Sequence, residues 1–215
     1  MDSPVICPTI TAYEPHQYRE QIERVTGFAH RLHIDLMDGE FTETQSPPID
    51  QIWLPENVIS DVHLMYQRPL EVLPRLIALK PNLVIVQAEA DDAEAAVLTL
   101  KQAGIKAGVA ILADTQVDQL GGIIEQADQV LVFSGHLGYH GGEADLSLLS
   151  KVAEIKARNP QAEIAWDGGI NEANAPRLVE AGITVLNAGG FIQNAADPAN
   201  AYAILSSSVQ AESKA

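Results

Sequence analysis

His33 and Asp35 stand two residues apart in the run Arg31-Leu32-His33-Ile34-Asp35-Leu36-Met37-Asp38-Gly39. Residues two apart on a strand share a face, so the imidazole and the carboxylate point the same way, with Met37 following them. Leu32, Ile34 and Leu36 point the other way. An imidazole and a carboxylate are costly to bury unless a metal ion, a hydrogen-bond network or a mutual ion pair compensates them. A second run, Asp61-Val62-His63-Leu64-Met65, sets His63 and Met65 on one face by the same alternation. A third, Asp167-Gly168-Gly169-Ile170, puts a carboxylate at the end of an apolar stretch. Taken singly, each residue has a plainer reading: a hydrogen-bonded His/Asp pair, a satisfied core histidine, a carboxylate capping the next helix. Taken together, His33, Asp35, His63 and Asp167 are a suitable set for one divalent transition metal such as Zn2+, Fe2+, Mn2+ or Co2+. The residue types do not choose among these ions.

A second candidate set is made of glycines. Gly138, Gly141 and Gly142 follow one apolar run, Gly168 and Gly169 the next, and Gly189 and Gly190 the last. Backbone N–H groups exposed beside helix starts make an anion site. Glycines are also common in ordinary turns, so the argument rests on their recurrence in consecutive loops.

These groups converge only if the elements bring them together. Alternating strand-like and helix-like segments run the length of the chain. The strands are expected at 5–10, 31–36, 58–65, 83–88, 105–112, 129–133, 162–166 and 183–188. Helices are expected at 15–26, 47–55 (short), 69–79 (with Pro74 anomalous inside it), 91–103 and 115–126 (despite Gly121-Gly122), and further on at 145–158, 172–180 (capped by Asn171) and 199–209. Residues 41–46 and 135–142 read as loops, and 210–215 as a frayed tail. The strands are mostly apolar runs, as when both faces are covered. Regular βα alternation in a single domain, 1–215, predicts a (β/α)8 TIM barrel, with a doubly wound open sheet as the main alternative. In a barrel, function sits at the C-terminal strand ends. His33, Asp35, His63, Gln87, Glu89 and Asp167 all fall there.

Composition narrows the partners. The chain has 215 residues, a formal charge of −16 and a pI near 4.6. Nucleic acid is excluded, because phosphate backbones need a basic footprint. A phosphorylated ligand needs local positive potential, from a metal or helix N-termini, against that general field. No apolar run reaches the length of a membrane span, and the N-terminus lacks the features of a signal peptide. The single cysteine, Cys7, cannot form an internal disulfide. These features point to a cytoplasmic protein.

The three runs, in this order, resemble the ribulose-phosphate 3-epimerase family: His33-Ile34-Asp35-Leu36-Met37-Asp38-Gly39, Asp61-Val62-His63-Leu64-Met65 and Asp167-Gly168-Gly169-Ile170-Asn171. Weaker echoes are Pro8-Thr9-Ile10, Lys106-Ala107-Gly108-Val109 and Ala188-Gly189. The resemblance implies a metal held by His33, Asp35, His63 and Asp167. It implies that Asp35 and Asp167 act as acid and base on opposite faces of a phosphorylated ketose, and that Met37 and Met65 line the reacting centre. Thr9 keeps the hydroxyl of a family serine. It also implies a homo-oligomer. The chain departs from the family in the loop after the sixth strand, His136-Leu137-Gly138-Tyr139-His140-Gly141-Gly142-Glu143, which is one residue longer and ends in an acid. Phe133 replaces a methionine, Gln87 stands where a histidine is usual, and Gly189-Gly190 replaces Gly-Ser.

The expected chemistry is epimerisation at C3 of a ketose phosphate, D-ribulose 5-phosphate to D-xylulose 5-phosphate, through an enediolate. The alternatives are a six-carbon ketose phosphate as substrate and a catalytically silent sugar-phosphate-binding barrel. Schiff-base chemistry needs a lysine at a strand end, and no lysine here is so placed. Related decarboxylases and hexulose-phosphate synthases carry Asp-x-Lys-x-x-Asp, where Met37 occupies the lysine position.

Overall fold

Eight short, mostly apolar runs must be covered on both sides, and a closed parallel barrel does so. The computed structural model describes residues 3–210 and has this form. The strands are β1 (Val5–Thr11), β2 (Arg31–Met37), β3 (Ile59–Met65), β4 (Leu83–Gln87), β5 (Lys106–Ile111), β6 (Gln129–Phe133), β7 (Glu163–Asp167) and β8 (Val185–Ala188). They pair in sequence order, all parallel, and β8 closes onto β1. Around them lie α1 (Pro15–Val25), α2 (Leu73–Ala78), α3 (Ala93–Gln102), α4 (Ile123–Gln126), α5 (Ser150–Arg158), α6 (Ala175–Ala181), α7 (Gly190–Gln193) and α8 (Pro198–Gln210).

Several expected helices are shorter or divided. The segment 47–55 holds only a single 3-10 turn, Ile49–Gln51. The segment 69–79 splits into a 3-10 turn, Pro69–Glu71, and α2. Pro74 falls in the first turn of α2, where its missing N–H has no intrahelical partner to lose. Gly121-Gly122 divides 115–126 into a 3-10 turn, Val117–Gln119, and α4. Asn171 does not cap α6 directly. Its Oδ1 accepts from the N–H groups of Ala173 and Asn174 in the turn before it. Gln210 is the last helical residue of α8 rather than the start of a tail, and 211–215 lie outside the described residues. No helix among the described residues is long and apolar enough to cross a membrane.

Most of the core lies between the strands and the helices. Inside the barrel, Cys7, Leu83, Ile85, Ala110, Leu131, Ala165 and Val185 form a second, smaller apolar layer. Below that layer sits an ionic floor. Arg31 Nε donates to Asp61 Oδ2 at 2.5 Å, and its two terminal nitrogens reach Glu163 at 3.1 and 2.7 Å. Asn82 and Gln129 donate to Asp61 and Glu163 in turn. Above the layer, at the C-terminal strand ends, lie the residues singled out for chemistry.

Candidate metal centre and substrate pocket

The register of β2 on β3 sets His33 beside Asp61 and Asp35 beside His63. The β2 side chains Arg31, His33 and Asp35 thus climb one inner face, from the floor to the upper end. Phe133 and Asp167 are paired across β6 and β7, and Asp167 and Asn187 across β7 and β8. The result is one cluster: His33, Asp35, His63 and Asp167 each place a ligand-type atom within 4.8 Å of the others, and all four residues are buried.

Inside the cluster, His33 Nε2 lies 3.3 Å from Asp35 Oδ1 and 3.3 Å from Asp167 Oδ2. That is close enough for charge to act, yet the ring nitrogen meets neither oxygen in hydrogen-bonding geometry. His63 Nδ1 lies 3.2 Å from Asp35 Oδ1. Thr11 Oγ1 donates to Asp35 Oδ2 at 2.6 Å. Burial alone would lower the His33 pKa. The Asp167 and Asp35 carboxylates, each 3.3 Å away, outweigh it by their negative charge and raise the imidazole to about 10. Burial would raise Asp35, but the His33 and His63 imidazoles outweigh it and hold the carboxyl well below its usual range. The cluster therefore gathers anionic oxygens and imidazole nitrogens around one point and favours positive charge there. Two imidazoles, two carboxylates and a buried ring nitrogen without a partner fit a divalent cation of the Zn, Fe, Mn or Co type.

Above the cluster opens a cavity of about 250 Å3. Of the residues singled out from sequence, Thr9, Asp35, Met65, Gly138, Gly141, Gly142, Asp167, Gly168, Gly169, Gly189 and Gly190 line it. Met37 lies outside that lining, with its sulfur 3.1 Å from Thr44 Oγ1. Glu89 is also elsewhere: its Oε1 accepts from the Leu112 N–H. Glu143 is exposed and outside the lining, which keeps its charge in solvent.

Gly138, Gly168 and Gly169 serve close approach, whereas Gly141 and Gly142 have open space around them. Gly168 has φ of 110°, and a Cβ there would lie 1.3 Å from the Ser134 carbonyl oxygen, so the start of the β7 loop packs directly on the backbone that follows β6. Gly138 has φ of 83° and fastens the β6 loop: its carbonyl accepts from Tyr13 Oη and from Thr44 Oγ1, both at 3.1 Å. Sequence reasoning did not single out Thr11, Asn187 or Tyr139, which also line the cavity. Alternation from Thr9 would have found Thr11, and Asn187 is the polar member of Val185-Leu186-Asn187-Ala188.

Comparison with known proteins agrees with this geometry. Residues 5–193 match the model of the ribulose-phosphate 3 epimerase family. The chain is 30% identical over 210 residues to the ribulose-phosphate 3-epimerase of Mycobacterium bovis, covering 94% of this chain and 91% of the relative. It is 30% identical over 202 residues to that of Bacillus subtilis, covering 89% and 93%. These relatives are carbohydrate epimerases of the isomerase class, and they support epimerisation of a sugar phosphate. Among solved structures, 3-hexulose-6-phosphate synthase from Salmonella typhimurium has a TM-score of 0.70 at 16% identity, covering 96% of this chain and 99% of the other. KGPDC from Streptococcus mutans has a TM-score of 0.73 at 13% identity, covering 97% and 98%. These two likenesses speak for the barrel alone. With the family match spanning both the cluster and the glycine loops, the chain belongs to the ribulose-phosphate 3-epimerase family.

Proposed function

We propose that the protein epimerises C3 of D-ribulose 5-phosphate to give D-xylulose 5-phosphate, with one divalent metal ion held by His33, Asp35, His63 and Asp167. The observation that carries this reading is the single buried cluster of two imidazoles and two carboxylates at the floor of the glycine-lined cavity. A proton α to a carbonyl is too weakly acidic for an unaided carboxylate, and a divalent cation supplies the positive charge against which the enediolate develops. One aspartate removes the C3 proton, and the other delivers a proton to the opposite face. Thr11 orients Asp35 through its 2.6 Å hydrogen bond. Thr9, Met65 and Asn187 bound the space for the sugar, and the glycines of the β6, β7 and β8 loops offer backbone N–H groups to the phosphate. A homo-oligomer belongs to the reading on family resemblance, and sedimentation of the purified chain checks it.

The test is exchange and turnover together. Wild-type protein in deuterated water should exchange the C3 proton of D-ribulose 5-phosphate and form D-xylulose 5-phosphate. Asp35→Asn and Asp167→Asn should each lose epimerisation by orders of magnitude while at most one-sided exchange survives. Metal content is measured alongside, since both residues also touch the cation. Near-normal epimerisation by either variant rules out the two-base scheme. Equal turnover of the unphosphorylated sugar rules out the phosphate site.

A further inference from the structure

Beside the ligand cluster, at the C-terminal end of β4, lies a side chain that the proposed reaction does not use. Gln87, the last residue of β4, is fully buried. Its Nε2 lies 2.8 Å from His63 Nε2, while its Oε1 has no hydrogen-bond partner. On the other side of the same ring, His63 Nδ1 lies 3.2 Å from Asp35 Oδ1. His63 is therefore held at both nitrogens, and a neutral imidazole has one proton to share between them.

The two possible placements of that proton have different consequences. With the Gln87 amide nitrogen donating to Nε2, the ring proton sits on Nδ1 and is given to Asp35. Nδ1 then has no lone pair for a cation. With the amide turned over, Oε1 accepts from Nε2–H, and Nδ1 presents a bare lone pair toward Asp35, His33 and Asp167. Amide oxygen and nitrogen are nearly equal in size, so the turn needs no repacking. The partnerless Oε1 shows that no donor locks the amide in the first orientation.

Charge also selects an amide at this place. A divalent cation with Asp35 and Asp167 ionised is balanced, and a carboxylate behind His63 would add a buried negative charge. In a chain of net charge −16 that charge would oppose a phosphorylated substrate. A carboxamide gives the acceptor without the charge.

We propose that Gln87 is the positioning residue for His63: its amide turns between two orientations and so decides which ring nitrogen carries the proton. Without a cation, His63 donates from Nδ1 to Asp35. With a cation, His63 donates from Nε2 to Gln87 Oε1 and ligates through Nδ1. This rests on the reading that His33, Asp35, His63 and Asp167 hold a divalent cation.

The test uses full-length protein labelled with 15N-histidine, stripped by chelator and then loaded with Zn2+. Long-range 1H–15N spectra of wild type should show His63 as the Nδ1–H tautomer when metal-free. The zinc form should show Nε2–H with a coordinated Nδ1. Zinc affinity is then measured by chelator competition. Gln87→Met keeps the length and loses the acceptor, and should bind Zn2+ roughly 10- to 100-fold more weakly. Gln87→Glu restores an acceptor oxygen and should recover most of that loss. A residue that merely filled space would show the opposite pattern, with Met tolerated. Coordination of His63 through Nε2, an unchanged tautomer on loading, or wild-type zinc affinity in Gln87→Met overturns the proposal. His63→Ala separates the two levels. If wild type binds zinc and His63→Ala loses it while Gln87→Met does not, the positioning role alone fails. If wild type binds no zinc, the cation site fails and takes this role with it.

Discussion

Arg31 holds two carboxylates at the floor of the barrel, and they do not weigh equally. Asp61 is buried, with its side chain 2% exposed and its Oδ2 2.5 Å from Arg31 Nε. Glu163 is bonded at 2.7 Å, but its side chain is 42% exposed. Arg31→Met therefore strands one buried charge and releases one that water can solvate. Breaking a buried pair from one side costs about 3–5 kcal/mol. Asn82 still donates to Asp61 at 2.7 Å, which places the expected loss near the lower end. Losing the Glu163 contact adds at most about 1 kcal/mol, the range of exposed pairs. Against a total stability of about 5–15 kcal/mol the variant should fold, with a clearly lower urea midpoint and an unchanged m-value. The double variant Arg31→Met/Asp61→Leu removes the stranded charge and should recover all but about 1 kcal/mol, because a buried pair often exchanges neutrally for apolar groups. Burial already holds the Asp61 carboxyl above its ordinary value, outweighing Arg31. A carboxyl raised in the folded state takes up a proton before the unfolded chain does. Its contribution to stability is thus present at low pH and lost as pH rises through the raised value. Without Arg31 that value climbs further, so the deficit of Arg31→Met should be smaller near pH 5 than near pH 8. A single variant within about 1 kcal/mol of wild type, or a double variant no better than the single one, would refute the reasoning.

Thr11→Val removes the hydroxyl donor to Asp35 and should lower kcat by about tenfold or more with KM little changed, since a hydrogen bond to a charged group contributes about 1.5–3 kcal/mol; steady-state kinetics checks it, and an unchanged kcat contradicts it. Gly168→Ala forces a Cβ into the Ser134 carbonyl and should abolish soluble folded protein or sharply lower its urea midpoint, whereas Gly142→Ala, with open space around it, should cost only backbone strain of about 1–3 kcal/mol. Gly142→Val should raise KM for the phosphorylated ketose more than it lowers kcat, as loss of uniform binding does. Burial pushes the Cys7 thiol far above its ordinary value, so alkylating reagents should leave native protein unmodified and label it at once in denaturant, which mass spectrometry reads directly.

The barrel was legible because eight apolar runs announce strands covered on both faces, and the cluster was legible because period-two alternation places His33 with Asp35. What sequence misplaced has local causes. Gly121-Gly122 and Pro74 divide helices whose apolar spacing reads as continuous, since breaker positions decide where a turn can propagate. Helix α7 is only four residues long, too short for any periodic signal. Glu89 lies just beyond β4, and whether a side chain past a strand end turns inward depends on the loop, here tied to the Leu112 N–H. Met37 shares a face with Asp35 in the strand but is claimed by Thr44 in the loop that folds back over it. The fastening of the β6 loop through Gly138 involves residues 94 and 125 positions away along the chain. No local pattern encodes such contacts.

The buried polar side chains of β2 and β3 also act as a check on alignment during folding. A slip of β3 along β2 by one residue turns every side chain to the wrong face and is rejected by hydrophobicity alone. A slip by two keeps each apolar residue on its own face, so apolar packing discriminates against it only weakly. The charged residues do discriminate. In the native register His33 meets Asp61 and Asp35 meets His63. Moved two places one way, Asp35 would lie against Asp61, two carboxylates with no cation between them. Moved two places the other way, His33 would face His63 and Asp35 would face Met65, leaving a buried anion without a partner. The side chains that gather at the reacting end therefore also spell out the one alignment in which the two strands can be zipped together.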